Sequence, residues 1–296
     1  MTSSQVTDPP RESEFTAYFE PIAPPAGDDP EYAYFQPTVA VVSVWSPQIQ
    51  HGGPPTGLLV RAMEKAVDPG DGQQFSRVTM EILGAIGLGV NRVRTWIPRP
   101  GRQISQVCAE LEVRGADGTY RSVARTTAWR LRSSDSSAIQ DLPRPPLPEL
   151  PDDLPQNTGF PESVEIPEAW RHMGFIGTVT VAAQPGRLGD STAVWLRPRL
   201  PLVAGEETSD LARAFTVIDV ANGLGAGDLD PTRWSWMNTD TTVHLVRQPT
   251  GGWVGIDAKM AAGADGYAAS FADLYDTSGF VGRSAQTSLL AAVDAG

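Results

Sequence analysis

Apolar residues recur at three- and four-residue spacing through "GGPPTGLLVRAMEKAV", at Leu58, Leu59, Ala62, Met63, Ala66 and Val67. That period predicts an amphipathic helix of about four turns, entered through Gly-Gly-Pro-Pro. The pattern then changes. "FSRVTMEILGAI", "GVNRVRTWIPRPG", "RQISQVCAELEVRGADG" and "TYRSVARTTAWRL" are β-rich runs broken by Gly, Pro or Asp, the signature of long antiparallel hairpins. The same order returns later in the chain. "SDLARAFTVIDVANGLG" has helical period, with Leu211, Phe215, Ile218 and Val220 apolar and Ser209 or Asp210 as cap, and strand-like runs follow it to the end.

Between the two patterns lies a stretch crowded with prolines at 143, 145, 146, 148, 151, 155 and 161, which forbid regular helix or central strand. The chain therefore divides into a polar, Pro-rich arm (1–30), a first helix-plus-strands unit (31–133), a Pro-rich linker (134–166) and a second unit (167–296). The last strand pairs of the two units can be overlaid by matching Gly118, Ala124 and Thr126 to Gly279, Ala285 and Thr287. That overlay makes Arg125 the counterpart of Gln286, and implies a duplicated α+β unit.

Composition narrows the chemistry. With 296 residues, 41% hydrophobic and 20% charged, the chain is long enough to bury a sizeable core. A formal net charge of −12 argues against nucleic acid or an anionic membrane surface as partner. A single cysteine, Cys108, and the lack of any long apolar run lead to the expectation of a cytoplasmic protein. His51, His172 and His244 form no metal-ligand spacing, and there is no Gly-x-Ser-x-Gly elbow, so neither a metal nor a serine nucleophile is expected. Trp45, Trp96, Trp129, Trp195, Trp234, Trp236 and Trp253 fall on or near predicted strands, as core or as lining of an apolar tunnel.

Taken in order, "QHGGPPTGLLVRA", "RPG", "SVARTTAWRL", "DVANG", "NTDTTVHLVR", "WVGIDA" and "LYDTSGFVGRSAQTSLL" resemble the acyl-CoA thioesterase II branch of the double hot-dog thioesterases. The resemblance spans roughly residues 35 to 290. It implies two tandem helix-plus-curved-sheet units forming one continuous sheet, hydrolysis of acyl-CoA without a cofactor, and further pairing into a homodimer.

It also implies a site built from Asp219, Asn238 and Gln286. The middle residue departs from the Thr of the best-known members, and Thr239, Thr241 or Thr242 could fill that place instead. On this reading Asp219 is the base and Gln286 holds the attacking water, while His51, Gly52, Gly53 and Thr239 surround the oxyanion and acyl group. Gly53→Val is then expected to harm turnover far more than stability. Arg92, Arg94, Arg99 and Arg102 form a cationic stripe for the nucleotide end of coenzyme A, or simply a solvated sheet face.

Two rivals remain. A hot-dog hydratase would carry His five residues after the Asp, where this chain has Leu224. A non-catalytic acyl-CoA binder would keep the tunnel and lose turnover.

Overall fold

The structure is a computed structural model that describes residues 15–166, 168–187, 193–227 and 229–293. Residues 1–14 of the predicted arm lie outside that set. The first half runs β1 (Phe19–Ile22), β2 (Ala33–Pro37), α1 (Gly53–Lys65), β3 (Gln73–Ile82), β4 (Asn91–Arg99), β5 (Ile104–Arg114) and β6 (Tyr120–Arg132). There follow β7 (Gln156–Thr158), β8 (Val164–Glu165), α2 (Glu168–Arg171), β9 (Val179–Ala182), β10 (Gly186–Arg187) and β11 (Val194–Pro198). The remainder is α3 (Asp210–Ile218), α4 (Ala221–Gly225), β12 (Trp234–Asn238), β13 (Asp240–Leu245), β14 (Val254–Ala262), β15 (Tyr267–Asp276) and β16 (Gly279–Ala292).

All strands except β8 and β10 join one sheet, ordered β1-β2-β4-β5-β6-β3-β13-β16-β15-β14-β11-β9-β7, with β12 paired to β16. The halves meet where β3 pairs β13, Val78 opposite Val243. This is the duplicated α+β arrangement with one continuous sheet that the sequence leads one to expect.

The two longer helices, α1 and α3, pack on each other. Leu58, Leu59 and Met63 of α1 are fully buried, each worth about 1.5–3 kcal/mol in transfer terms. Gly53 and Gly57, four residues apart, let α1 lie against α3: a Cβ on Gly53 would overlap the Thr216 carbonyl oxygen, and one on Gly57 would overlap the Thr216 hydroxyl. The second helical run is interrupted. α3 ends at Ile218, Asp219 occupies its C-cap, and α4 restarts at Ala221.

Two expectations need correction. The arm is not polar throughout: Ala17, Tyr18 and Phe19 are fully buried, β1 pairs β2, and Phe19 N–H bonds the Leu202 carbonyl of the second half. Three consecutive apolar residues outweigh the prolines around them. The overlay of the last strands is also shifted in face. In β6 Ala124, Thr126 and Ala128 point inward, and in β16 Ser284, Gln286 and Ser288 do. Each strand carries one bulged residue next to its turn, Val123 and Val281, left unpaired by the partner strand. Aligning the halves on these bulges puts Ala128, not Arg125, opposite Gln286.

The arginine stripe is largely spoken for within the sheet. Arg92 sits opposite Glu112 and Arg94 opposite Glu110 in the β4–β5 register, and both pairs are hydrogen-bonded. Arg99 bonds the Ile104 carbonyl, and Arg102 is exposed. Burial alone would push the Glu110 carboxyl up, but hydrogen bonds from Arg125, Arg94 and Ser122 outweigh it and hold it at about 2, below its usual 4.5. A carboxylate depressed in this way stabilises the fold fully above pH 4.5, and that contribution is lost as pH falls toward 2. Glu110→Gln is therefore expected to cost about 2 kcal/mol at pH 7, a figure discounted because Arg94 and Arg125 are half-exposed. Urea unfolding at pH 7 and pH 3 checks it: the gap between the variant and the unaltered protein should narrow at pH 3.

Candidate active site

Asp219 owes its position to the break between α3 and α4, which presents its side chain at a helix end rather than along a helix face. Its carboxylate is 6% exposed. Oδ1 accepts from Asn238 Nδ2 at 2.8 Å, Thr241 Oγ1 at 3.2 Å and Gln286 Nε2 at 3.4 Å. Oδ2 lies 3.2 Å from His51 Nδ1. A buried carboxylate is tolerated only when it is satisfied in this way.

Asn238 and Thr241 both reach Asp219 because the chain between them is irregular. β12 pairs β16 with Asn238 opposite Ser288, whereas β13 pairs it with Thr242 opposite Ala285, so one extra residue lies between. In an unbroken strand residues 238 and 241 would face opposite ways. Of the alternatives for the middle residue, Thr241 joins Asn238 at the site. Thr239 turns outward to the Thr287 carbonyl, and Thr242 bonds Thr79 on the other face.

Gln286 is 2% exposed and donates to the Asp219 carbonyl at 3.2 Å and to Thr241 Oγ1 at 3.0 Å. It touches Asp219 without lining the cavity, so its reach is to the carboxylate. Its Oε1 is buried without a protein partner.

The first half supplies the opposite wall. Gly53 N–H donates to His51 Nδ1 at 3.2 Å and its α-carbon packs on α3, so Gly53 is a packing residue with its donor already engaged. Gly52 is different: a Cβ there would stand 2.8 Å from Asp219 Oδ2 and 2.9 Å from Oδ1, and its N–H finds no acceptor among the described residues. Its backbone is helical, φ −63° and ψ −25°, so alanine brings no strain of its own. Gly52→Ala is expected to displace the carboxylate and cut turnover by roughly 10²-fold with a much smaller change in melting temperature. Steady-state kinetics beside a thermal melt decides it.

His51, Asp219 and Asn238 open onto a cavity of about 680 Å³. Its apolar wall carries Trp45, Trp170 and Trp236, packed edge to face with ring centroids 5.0–5.6 Å apart, together with Phe160, Leu224 and Leu229. None of Arg92, Arg94, Arg99 and Arg102 lines it. Two contributors were missed in the sequence. Trp170 sits in a short helix just after the proline-rich segment, where no periodicity marks it. Asn222, within "DVANG", is 4% exposed and bonded at both ends of its amide, donating to the Trp236 carbonyl and accepting from Ser270 and Ser288, so it ties α4 to the sheet. Among the described residues no group of His, Cys, Asp or Glu is arranged to hold a metal ion.

The profile of the acyl-CoA thioesterase N-terminal domain matches residues 41–131, and that of the C-terminal domain matches residues 146–290. The chain belongs to the acyl-CoA thioesterase family. Among solved structures it is similar to a hot-dog-fold protein of unknown function from Alicyclobacillus acidocaldarius, at 15% identity over 90% of this chain and 96% of that one, with a TM-score of 0.66. It is also similar to the acyl-CoA thioesterase II TesB2 of Mycobacterium marinum, at 14% identity over 90% and 94% of the two chains, with a TM-score of 0.60. At these identities the likeness establishes the double hot-dog fold. Among curated proteins none matches the chain. No helix among the described residues of this acyl-CoA thioesterase is long and apolar enough to cross a membrane.

Proposed function

We propose that this chain hydrolyses acyl-CoA to a free acid and coenzyme A by attack of water, with Asp219 taking the water's proton. One observation carries the reading: a buried carboxylate on the wall of an indole-lined cavity, with Oδ1 held by three donors and Oδ2 held by none of them, beside His51. Holding one oxygen fixes the direction in which the other can accept. Asn238 faces both the carboxylate and the cavity, and is the side chain best placed to orient the water. Gln286 acts one step back, steadying Asp219 together with Thr241.

The tetrahedral oxyanion needs a donor, and Gly52 N–H, at the start of α1 and the positive end of the helix, has no acceptor among the described residues and serves as that donor. The acyl group lies along Trp45, Trp170 and Trp236. On the other side of α4 there is no room for it, since a Cβ on Gly225 would already stand 3.1 Å from the backbone of Lys259 and Met260.

Release of free thiol from acyl-CoAs of short, medium and long chain, followed with a thiol reagent, tests the reading. Turnover in at least one class is expected. Saturable binding without thiol release in any of them would make the protein a binder.

A further inference from the structure

His51 and Asp219 meet across the two halves of the chain, with Nδ1 3.2 Å from Oδ2. The same Nδ1 faces the Gly53 N–H at 3.2 Å. A backbone N–H can only donate, so Nδ1 presents its lone pair and the ring proton rests on Nε2. Burial pushes the His51 pKa down, against the pull of Asp219, so the ring is neutral at pH 7.

A lone pair facing a charged carboxylate oxygen is a poor contact. It becomes a hydrogen bond once Oδ2 carries a proton, which is the state Asp219 reaches on accepting a proton from water. The pair thus suits the reacting state better than the resting one. His51 also lines the cavity, and its Nε2 bonds nothing among the described residues, so Nε2–H is the donor the ring offers there.

We propose that His51 carries the proton from Asp219 to the departing sulfur of the thioester. The proposal rests on Asp219 acting as base. In the first step an O–H bond of water breaks, its oxygen bonds the carbonyl carbon, and the proton goes to Oδ2. In the second the C–S bond breaks and its electron pair leaves with sulfur. Nε2–H passes to that sulfur while the Oδ2 proton passes to Nδ1. The products are a thiol and a carboxylic acid, and Asp219 is again a carboxylate; the acid product then gives its proton to Nε2 while Nδ1–H is lost to solvent, which restores the tautomer that accepts from Gly53 N–H. The cavity wall makes such a donor useful, because Glu165 and Asp230 also line it, while its one lining arginine, Arg171, is bonded to Glu168 and to the Pro161 and Val164 carbonyls. Expelling an unprotonated thiolate among carboxylates is costly.

The test varies the leaving group at constant acyl chain, comparing an acyl-CoA with the corresponding thiophenyl ester, whose more acidic thiol departs without needing a proton. His51→Gln is expected to lower kcat on the acyl-CoA by roughly 10²-fold and to lose at least ten times less on the thiophenyl ester. His51→Phe keeps a ring against Phe175, now at 4.8 Å, and removes both nitrogens, so it should show the same split. Thermal melts establish that the variants are folded, and either folded variant suffices. Equal losses on the two esters, or no loss on either, overturn the relay. Asp219→Asn should depress both esters alike; if it spares both, Asp219 is not the base and the relay falls with that assignment, whereas equal His51 losses with Asp219→Asn still inactive overturn the relay alone.

Discussion

Asp219→Asn is expected to lower kcat for acyl-CoA by about 10²- to 10⁴-fold while the protein stays folded. The asparagine keeps an oxygen for Asn238 Nδ2 and Thr241 Oγ1, so the hydrogen bonds that hold the side chain survive. What disappears is the ability of the second terminal atom to take a proton, because an amide NH₂ has no basic lone pair at neutral pH. The loss should fall on kcat with KM little altered, since Trp45, Trp170 and Trp236 still line the cavity. Thiol-release kinetics alongside circular dichroism reads both quantities. Retention of more than a tenth of the activity would remove Asp219 from the chemistry.

The second large effect is structural. Gly53→Ala is expected to destabilise by about 3 kcal/mol or more, because the new Cβ meets the carbonyl oxygen of Thr216, a backbone atom that cannot rotate aside. Gly57→Ala offers the control. There the nearest obstacle is the Thr216 hydroxyl, so Gly57→Ala combined with Thr216→Ala should recover part of the loss, whereas Gly53→Ala combined with Thr216→Ala should recover none. Urea unfolding of the four variants gives the answer. This reverses the expectation that a larger residue at 53 would spare stability and harm turnover: position 53 is a helix contact, and the space beside the carboxylate belongs to Gly52.

Periodicity revealed what is local. The α1 stripe and the first-half hairpins follow from side chains a few residues apart and stand where the pattern puts them, whereas β7 and β8 lie within the proline-rich stretch read as linker. The site was legible through motif order, which led to Asp219, Asn238 and Gln286, and the structure brings these three together. What escaped was set by long-range register. Whether Gln286 matches Arg125 or Ala128 depends on one bulged residue in each hairpin, and a bulge has no signature in composition. Thr241 joins Asn238 through a one-residue irregularity between two strands that read as a single run. His51 lies 168 positions before Asp219, so no spacing rule could pair them. The partners of Arg92 and Arg94 were hidden for the same reason: both strands of that hairpin were foreseen, but the register shifts by one residue between Trp96 and Arg99, so counting back from the turn would have set Val113 and Leu111 opposite them instead of Glu112 and Glu110.

The β3–β13 seam joins the two halves of the site as well as the two halves of the sheet. Asp219 draws Asn238, Thr241 and Gln286 from its own half, but the glycine that leaves it room and the histidine at its free oxygen come from the other. A gene reduced to the second half would encode an acid without its opposing wall, and one reduced to the first half a wall without its acid. Either half alone would therefore hold only part of the site.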